Sequence, residues 1–205
     1  MNPTFYLIVG PNGAGKSELT EAVVKDNTVI INGDKIGMES PNLQQAAQKV
    51  DNLLKGSLLL KQSVSFETNF LDEDQTRNIY LPFKKNGYDL DLVFIGLQDL
   101  EESIIRINNR VTKGGHNIVP LNAELSFHYS KVNSLKYASD FNNITLIDNP
   151  VDQTKRQTDI VYMAKGNDVI INKDLPPKWA EEYIRHLENK TYPDIDIDNI
   201  INRKR

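Results

Sequence analysis

The sequence predicts an α/β fold: a mostly parallel five-stranded sheet sandwiched by helices, with an antiparallel hairpin at its edge near the C-terminus. Three observations carry this. Short apolar runs alternate with longer helical patterns from residue 5 to residue 148, the rhythm of parallel strands joined by crossover helices. The first strand–helix junction holds Gly10, Pro11, Asn12, Gly13, Ala14, Gly15, Lys16 and Ser17, which fit G-x-x-x-x-G-K-[ST]. After residue 150 the rhythm breaks into two short runs about a Lys-Gly-Asn turn.

The first element is Phe5-Tyr-Leu-Ile-Val9, a buried strand, and Ser17 to Val24 reads as the helix that follows. The octapeptide between them is a P-loop, so the expected fold is that of the P-loop NTPases. Its glycines allow backbone N–H groups to turn inward on an anion, and the next helix aims its positive end at the same point. Lys16 is expected on the β- and γ-phosphates of a nucleotide, and the Ser17 hydroxyl on Mg²⁺.

Asn27 to Asn32 is a second strand, ending in Gly33-Asp34. Asp34 has two readings of equal weight: an acceptor-site carboxylate in the crevice at the strand ends, or the N-cap of a helix. Ser40 to Leu60 reads as one helix, with Pro41 in its first turn. Val64-Ser-Phe66 is a third strand and delivers Glu67 and Thr68. Glu67 reads as a group that holds Mg²⁺ through water or positions a substrate hydroxyl, and Thr68 as a donor to phosphate or substrate; the alternative is a solvated strand terminus.

Asp72-Glu-Asp74 opens a helix as dipole compensation, and Asn86-Gly87 ends it. Tyr88 to Gly96 is a fourth strand. Asp99 and Glu102 have the spacing of a capping box before a helix that carries Arg106 and Arg110 on one face. That helix runs into Gly114-Gly115. Two readings stand side by side: a lid that brings positive charge to a transferring phosphoryl, and a solvated helix end with cations at its negative pole. His116 follows as a substrate or phosphate contact. Leu121 to Tyr137 is helical, and Asn143 to Asp148 is the fifth strand. Residues 159–164 and 168–171 form the edge hairpin. Pro176-Pro177 begins a last helix containing Trp179. The domain reading is a single unit over 1–190, with a lid at about 106–130, and an appendage over 191–205.

Bulk properties exclude several classes. The 205 residues suffice for one α/β core. A net charge of −4 without a basic stripe argues against nucleic acid as partner. Without cysteine there is neither disulfide nor thiolate chemistry. No apolar run suits a membrane span and no signal precedes the first strand, so the expected location is cytoplasmic. The GTPase base-reading motif is approached by Asn172-Lys173-Asp174 but lacks its spacer residue.

Gly10 to Ser17, Asn-Gly-Asp at 32–34, Phe-Glu-Thr at 66–68, Gly-Tyr at 87–88, Arg-x-x-x-Arg-Val-x-x-Gly-Gly-His-Asn at 106–117 and Ile-Asp-Asn at 147–149 occur in order. Together they resemble the zeta-toxin-like P-loop kinases over roughly residues 4 to 150. The resemblance implies ATP and Mg²⁺ at Lys16 and Ser17, and Asp34 as the base for an acceptor hydroxyl. It implies Glu67 and Thr68 at the substrate or metal site, Arg106 and Arg110 on the transferring phosphoryl, and Asp148 and Asn149 near adenine. It further implies a UDP-sugar acceptor such as UDP-N-acetylglucosamine, and an antitoxin protein as partner. One departure stands out: where such relatives carry an arginine-rich helix, Asn122 to Ser130 holds no arginine. The alternative to a kinase is therefore a nucleotide-binding regulator with little turnover.

Overall fold

The computed structural model describes residues 2–112, 114, 118–154, 157–166, 168–171, 176–195 and 200. His116, Gly115 and the Asn172-Lys173-Asp174 stretch lie outside the described residues, as does most of the 191–205 appendage.

Seven strands form one sheet in the order β2-β3-β1-β4-β5-β6-β7. The five predicted parallel strands are β1 (Thr4–Val9), β2 (Val29–Ile31), β3 (Val64–Thr68), β4 (Asp89–Gly96) and β5 (Asn143–Asp148). The predicted hairpin is β6 (Asp159–Lys165) and β7 (Asp168–Ile171), added antiparallel to β5. β1 is the middle one of the five parallel strands and is buried along its whole length, which is why it reads as a continuous apolar run. Its alternation divides the core. Phe5, Leu7 and Val9 join the larger cluster on one face, while Tyr6 and Ile8 join a smaller one with Ala14, Val93 and Ile147.

The covering helices are α1 (Lys16–Val23), α2 (Gly33–Glu39), α3 (Leu43–Leu59), α4 (Glu73–Lys85), α5 (Leu100–Thr112), α6 (Pro120–Lys136) and α7 (Lys178–Asn189). Most starts follow the expected chemistry. Asp72 caps α4 by accepting from the Gln75 N–H at 2.8 Å, and Asp99 accepts from the Glu102 N–H at 2.9 Å. The Glu102 carboxylate returns to the Gln98 N–H at 2.8 Å rather than to that of Asp99.

Two expectations fail between β2 and β3. The helix expected over Ser40 to Leu60 is α3, which starts only at Leu43, and a separate helix, α2, precedes it where none was expected. Glycines at 33 and 37 are weak helix formers and hide α2 in the sequence. Pro41 lies outside α3, ahead of its N-cap Asn42, which accepts from the Gln45 N–H at 2.9 Å. Nor is Asp34 the N-cap of α2. That position belongs to Asn32, whose side chain accepts from the Lys35 N–H at 2.9 Å.

α7 closes the larger face. Tyr183 and Trp179 pack on Phe94, with ring centroids 4.8 and 5.8 Å apart, and the Tyr183 hydroxyl donates to Ser134 of α6 at 2.8 Å. Gly96, the last residue of β4, lies under the Trp179 ring, and a Cβ there would collide with it.

Candidate active site

β1 stops at Val9, and the chain turns over the sheet end as the P-loop. Gly13 and Gly15 take φ of 80° and 87°, left-handed values that side chains resist. The Gly15 carbonyl then accepts from the N–H groups of Glu18 and Leu19, starting α1. Three neighbours fasten the loop from outside. Ser103 of α5 donates to the Asn12 carbonyl at 2.6 Å, the Asn12 N–H donates to Ser126 of α6 at 3.1 Å, and Asn149 donates to the Ala14 carbonyl at 2.8 Å.

Lys16 folds back on its own loop, donating to the carbonyls of Gly10 at 2.8 Å and Pro11 at 3.0 Å. Burial of its ammonium lowers its pKa to about 8; Arg110 pushes the same way, and the carboxylates of Glu67 and Asp34 oppose it. These three charges thus all act on one ammonium at the mouth of the loop.

Beside Lys16 stands a polar cluster built by strand register. Ile31 pairs with Phe66, so Asn32 and Glu67 emerge level from adjacent strands. The Ser17 hydroxyl donates to Glu67 Oε2 at 2.7 Å, and Asn32 Nδ2 donates to Ser17 Oγ at 2.7 Å and to Glu67 Oε2 at 2.9 Å. Thr20, one turn into α1, has its hydroxyl 3.0 Å from Glu67 Oε1 and 2.8 Å from the Lys16 carbonyl, so one proton serves two acceptors.

These groups line a cavity of about 760 Å³. Lys16, Ser17, Asp34, Glu67, Thr68 and Arg110 all face it, so the predicted donor and acceptor sides share one space. Asp34 sits in the first turn of α2, across from the P-loop. Thr68 accepts from the Phe70 N–H at 2.9 Å, which leaves its own proton for a ligand and holds Phe70 at a φ of 53°. Further wall residues that the sequence reading does not single out include Phe66, Asn69, and Gln75, Thr76 and Ile79 of α4. The 75, 76, 79 spacing marks one helical face, but the acidic start of α4 drew attention to its dipole instead.

Three predicted residues are tied to their neighbours by hydrogen bonds. Arg106 also borders the cavity, but its guanidinium donates to the carbonyls of Asn149 at 2.9 Å and Pro150 at 2.7 Å, and it crowds against Gly15. It is fastened to the end of β5, whereas Arg110, one turn on, faces the cavity. Asp148 is buried, and its Oδ1 accepts from the Trp179 indole N–H at 2.9 Å. Asn149 braces the P-loop through Ala14, while Thr158 donates to its Oδ1 at 2.7 Å. The stretch read as a lid, 106–130, touches the P-loop through α6. Ser126 accepts from the Asn12 N–H, and Asn12 Nδ2 donates to the Asn122 carbonyl at 3.5 Å. Lys113 and His116 lie outside the described residues.

The donor set fits Mg²⁺ with a nucleotide. Ser17 Oγ spends its proton on Glu67 and one lone pair on Asn32, which leaves one lone pair for a hard cation. Glu67 Oε1 keeps a lone pair that suits a cation-bound water. Among the described residues no group of three or more acidic or histidine side chains is gathered to hold a metal by itself.

A comparison with protein families matches residues 1–165 to the zeta toxin model. The chain belongs to the zeta toxin family. No curated protein matches it. Among solved structures, the chain is similar to one from the PezAT chromosomal toxin–antitoxin system of Streptococcus pneumoniae, with a TM-score of 0.62 at 17% identity over 92% of this chain and 85% of that one. It is also similar to the AvrRxo1-ORF1:-ORF2 complex solved with ATP, with a TM-score of 0.63 at 15% identity over 96% of this chain and 65% of the other. At these identities the structures establish the shared fold. The family match ends with β6, yet α7 beyond it completes the core through Trp179 and Tyr183. No helix among the described residues is long and apolar enough to cross a membrane.

Proposed function

We propose that this zeta toxin family chain is an ATP- and Mg²⁺-dependent phosphotransferase that acts on a hydroxyl of a small molecule. The observation that carries the reading is the meeting of Lys16, Ser17 and Glu67 with Asp34 and Arg110 around one cavity. Bound ATP supplies the phosphoryl group, and Mg²⁺ supplies charge that offsets its oxygens. Lys16 exchanges its two loop carbonyls for phosphate oxygens. Asp34 accepts the proton of the acceptor hydroxyl as its oxygen bonds to the γ-phosphorus and the bridging bond to ADP breaks. Arg110 offsets charge on the transferring group. Arg106, fastened at Asn149 and Pro150, holds the nucleotide side of the P-loop.

A UDP-sugar, with UDP-N-acetylglucosamine as the leading member, is the acceptor class that family membership suggests. Thr68, Asn69 and Gln75 offer it hydrogen bonds, and Phe66 and Ile79 an apolar wall. An antitoxin protein is the corresponding partner. One observation favours the second reading, a nucleotide-binding regulator: α6 carries no arginine over 122–130 and is seated on Asn12 by Ser126.

Transfer of labelled γ-phosphate across a panel of UDP-sugars separates the two. The kinase reading expects a phosphorylated product, and expects Asp34→Asn to keep ATP binding while losing about 10²–10⁴ in transfer rate. Tight ATP binding with no product on any acceptor overturns it in favour of the regulator.

A further inference from the structure

Asn32 uses every hydrogen-bonding group of its side chain, and uses them in two directions. Its Oδ1 caps α2 by accepting from the Lys35 N–H at 2.9 Å. Its two Nδ2 protons go the other way, to Ser17 Oγ at 2.7 Å and Glu67 Oε2 at 2.9 Å. One planar amide thus ties the P-loop hydroxyl and the β3 carboxylate to the start of the helix that carries Asp34. We infer that Asn32 is a positioning residue that fixes the cation-binding pair Ser17 and Glu67 in register with the acceptor-side base Asp34. The inference rests on the phosphotransferase reading for the role of Asp34, and on the P-loop chemistry alone for the role of Ser17.

The chemistry requires an amide at this position. Aspartate caps a helix as well as asparagine, but it has no proton to donate and would set a second carboxylate against Glu67. Serine caps comparably, but its short side chain does not reach two partners on the far side. Only the amide donates twice while accepting once, at the length that the Ile31–Phe66 register provides. Two consequences follow for Ser17. The Asn32 proton occupies one lone pair and Glu67 takes the hydroxyl proton, so the remaining lone pair has a fixed direction. The same contact stops Ser17 from rotating into a helical hydrogen bond of the kind Thr20 makes to the Lys16 carbonyl.

α2 is a seven-residue helix behind a strand of three, at the edge of the sheet. Among the described residues, no other side-chain hydrogen bond joins its start to the P-loop. Gly33 has nothing within contact distance of where a Cβ would be. Asn32 is therefore the link through which a displacement at the cation would reach the base, and a misplacement of about 1 Å costs of the order of 10²-fold in rate.

The test compares Asn32→Ser, which keeps a cap, with Asn32→Ala, which loses both directions. Calorimetry in the absence of acceptor gives the gain in ATP affinity between EDTA and excess Mg²⁺. The same proteins are then assayed for phosphoryl transfer and for thermal midpoint. The expected result is a wild-type Mg²⁺ gain reduced about tenfold in both variants, a charge-assisted hydrogen-bond effect. The thermal midpoint is expected to fall in Asn32→Ala and to stay near wild type in Asn32→Ser. Transfer falls in both through kcat rather than through KM for ATP at saturating Mg²⁺. An unchanged Mg²⁺ gain in Asn32→Ser, or a wild-type protein that gains nothing from Mg²⁺, overturns the inference. If the gain falls as expected while wild type phosphorylates no acceptor, the link to the cation stands and the kinase reading fails.

Discussion

β3 and β5 each carry an acidic residue in the last two positions at the crevice edge, and the sequence offers the same signal for each. The structure sends them opposite ways. Glu67 faces the cavity and collects Ser17, Asn32 and Thr20. Asp148 turns into the core and accepts from Trp179. The cause is what lies beside each strand end. Next to Glu67 are a short edge strand and a seven-residue helix that leave the crevice open. Next to Asp148 is Gly96, its register partner on β4, and the bare backbone there lets the Trp179 ring of α7 lie across the strand ends. The residue after it, Asn149, then serves the site indirectly, by bracing Ala14 of the P-loop. A carboxylate at a strand end is thus a site candidate only where its neighbours leave room for a ligand.

The two ends should fail in different ways, and the largest effect is expected at β3. Glu67→Gln replaces an acceptor of three hydrogen-bond donors by a group that is half donor, and removes the negative charge beside the expected cation. Transfer should drop about 10²–10³-fold with circular dichroism unchanged. A loss of folding comparable to the loss of rate would place Glu67 with Asp148, as a structural carboxylate, and would erase the distinction.

At β5 the loss should be one of stability. Asp148→Ala strands a buried indole N–H and leaves a small void, which together cost about 1–3 kcal/mol in chemical denaturation. Transfer at a temperature where the variant stays folded should remain within a few-fold of wild type, because Asp148 is buried and its Oδ1 is committed to Trp179. A rate loss as large as that of Glu67→Gln would mean that the β5 end reaches the chemistry after all, through Arg106 or Asn149.

How far the sequence revealed this follows from what kind of interaction sets each feature. The five parallel strands, the edge hairpin and the P-loop are local patterns: apolar runs, turn residues and a spaced motif. All are legible residue by residue. Asn32 and not Asp34 is the cap of α2, and its far partners are joined to it by register between β2 and β3, which no local pattern marks. Arg106 and Arg110 share a helical face as the spacing of four requires, yet only a neighbouring strand end decides that the first is tied to Asn149 and Pro150. Likewise Trp179 is conspicuous in the sequence, but its partner Asp148 is thirty-one positions away and is chosen by the passage of α7 over Gly96. Local chemistry was readable; pairings made by tertiary register were not.

The smallest effect sharpens the comparison through Lys16, which lies near one strand end and feels its charge. Its pKa of about 8 is set by burial, against which Glu67 and Asp34 act. The ammonium is the form that binds phosphate, so ATP affinity should weaken as pH rises through about 8, approaching tenfold per unit above it, with proton uptake on binding. Stability runs the other way over part of that range. The folded pKa lies below the unfolded value of 10.5, so the unfolded chain holds more protons between the two, and this contribution favours the fold as pH rises. Glu67→Gln removes the largest opposing charge, so its affinity should begin to fall at a lower pH than in wild type. Asp148→Ala should leave the titration where it is, since Asp148 is not among the charges that act on Lys16. Calorimetric titration of ATP from pH 6.5 to 9.5 on the three proteins decides it: equal shifts in both variants would show that Lys16 responds to a general loosening of the sheet end and not to the carboxylate of β3.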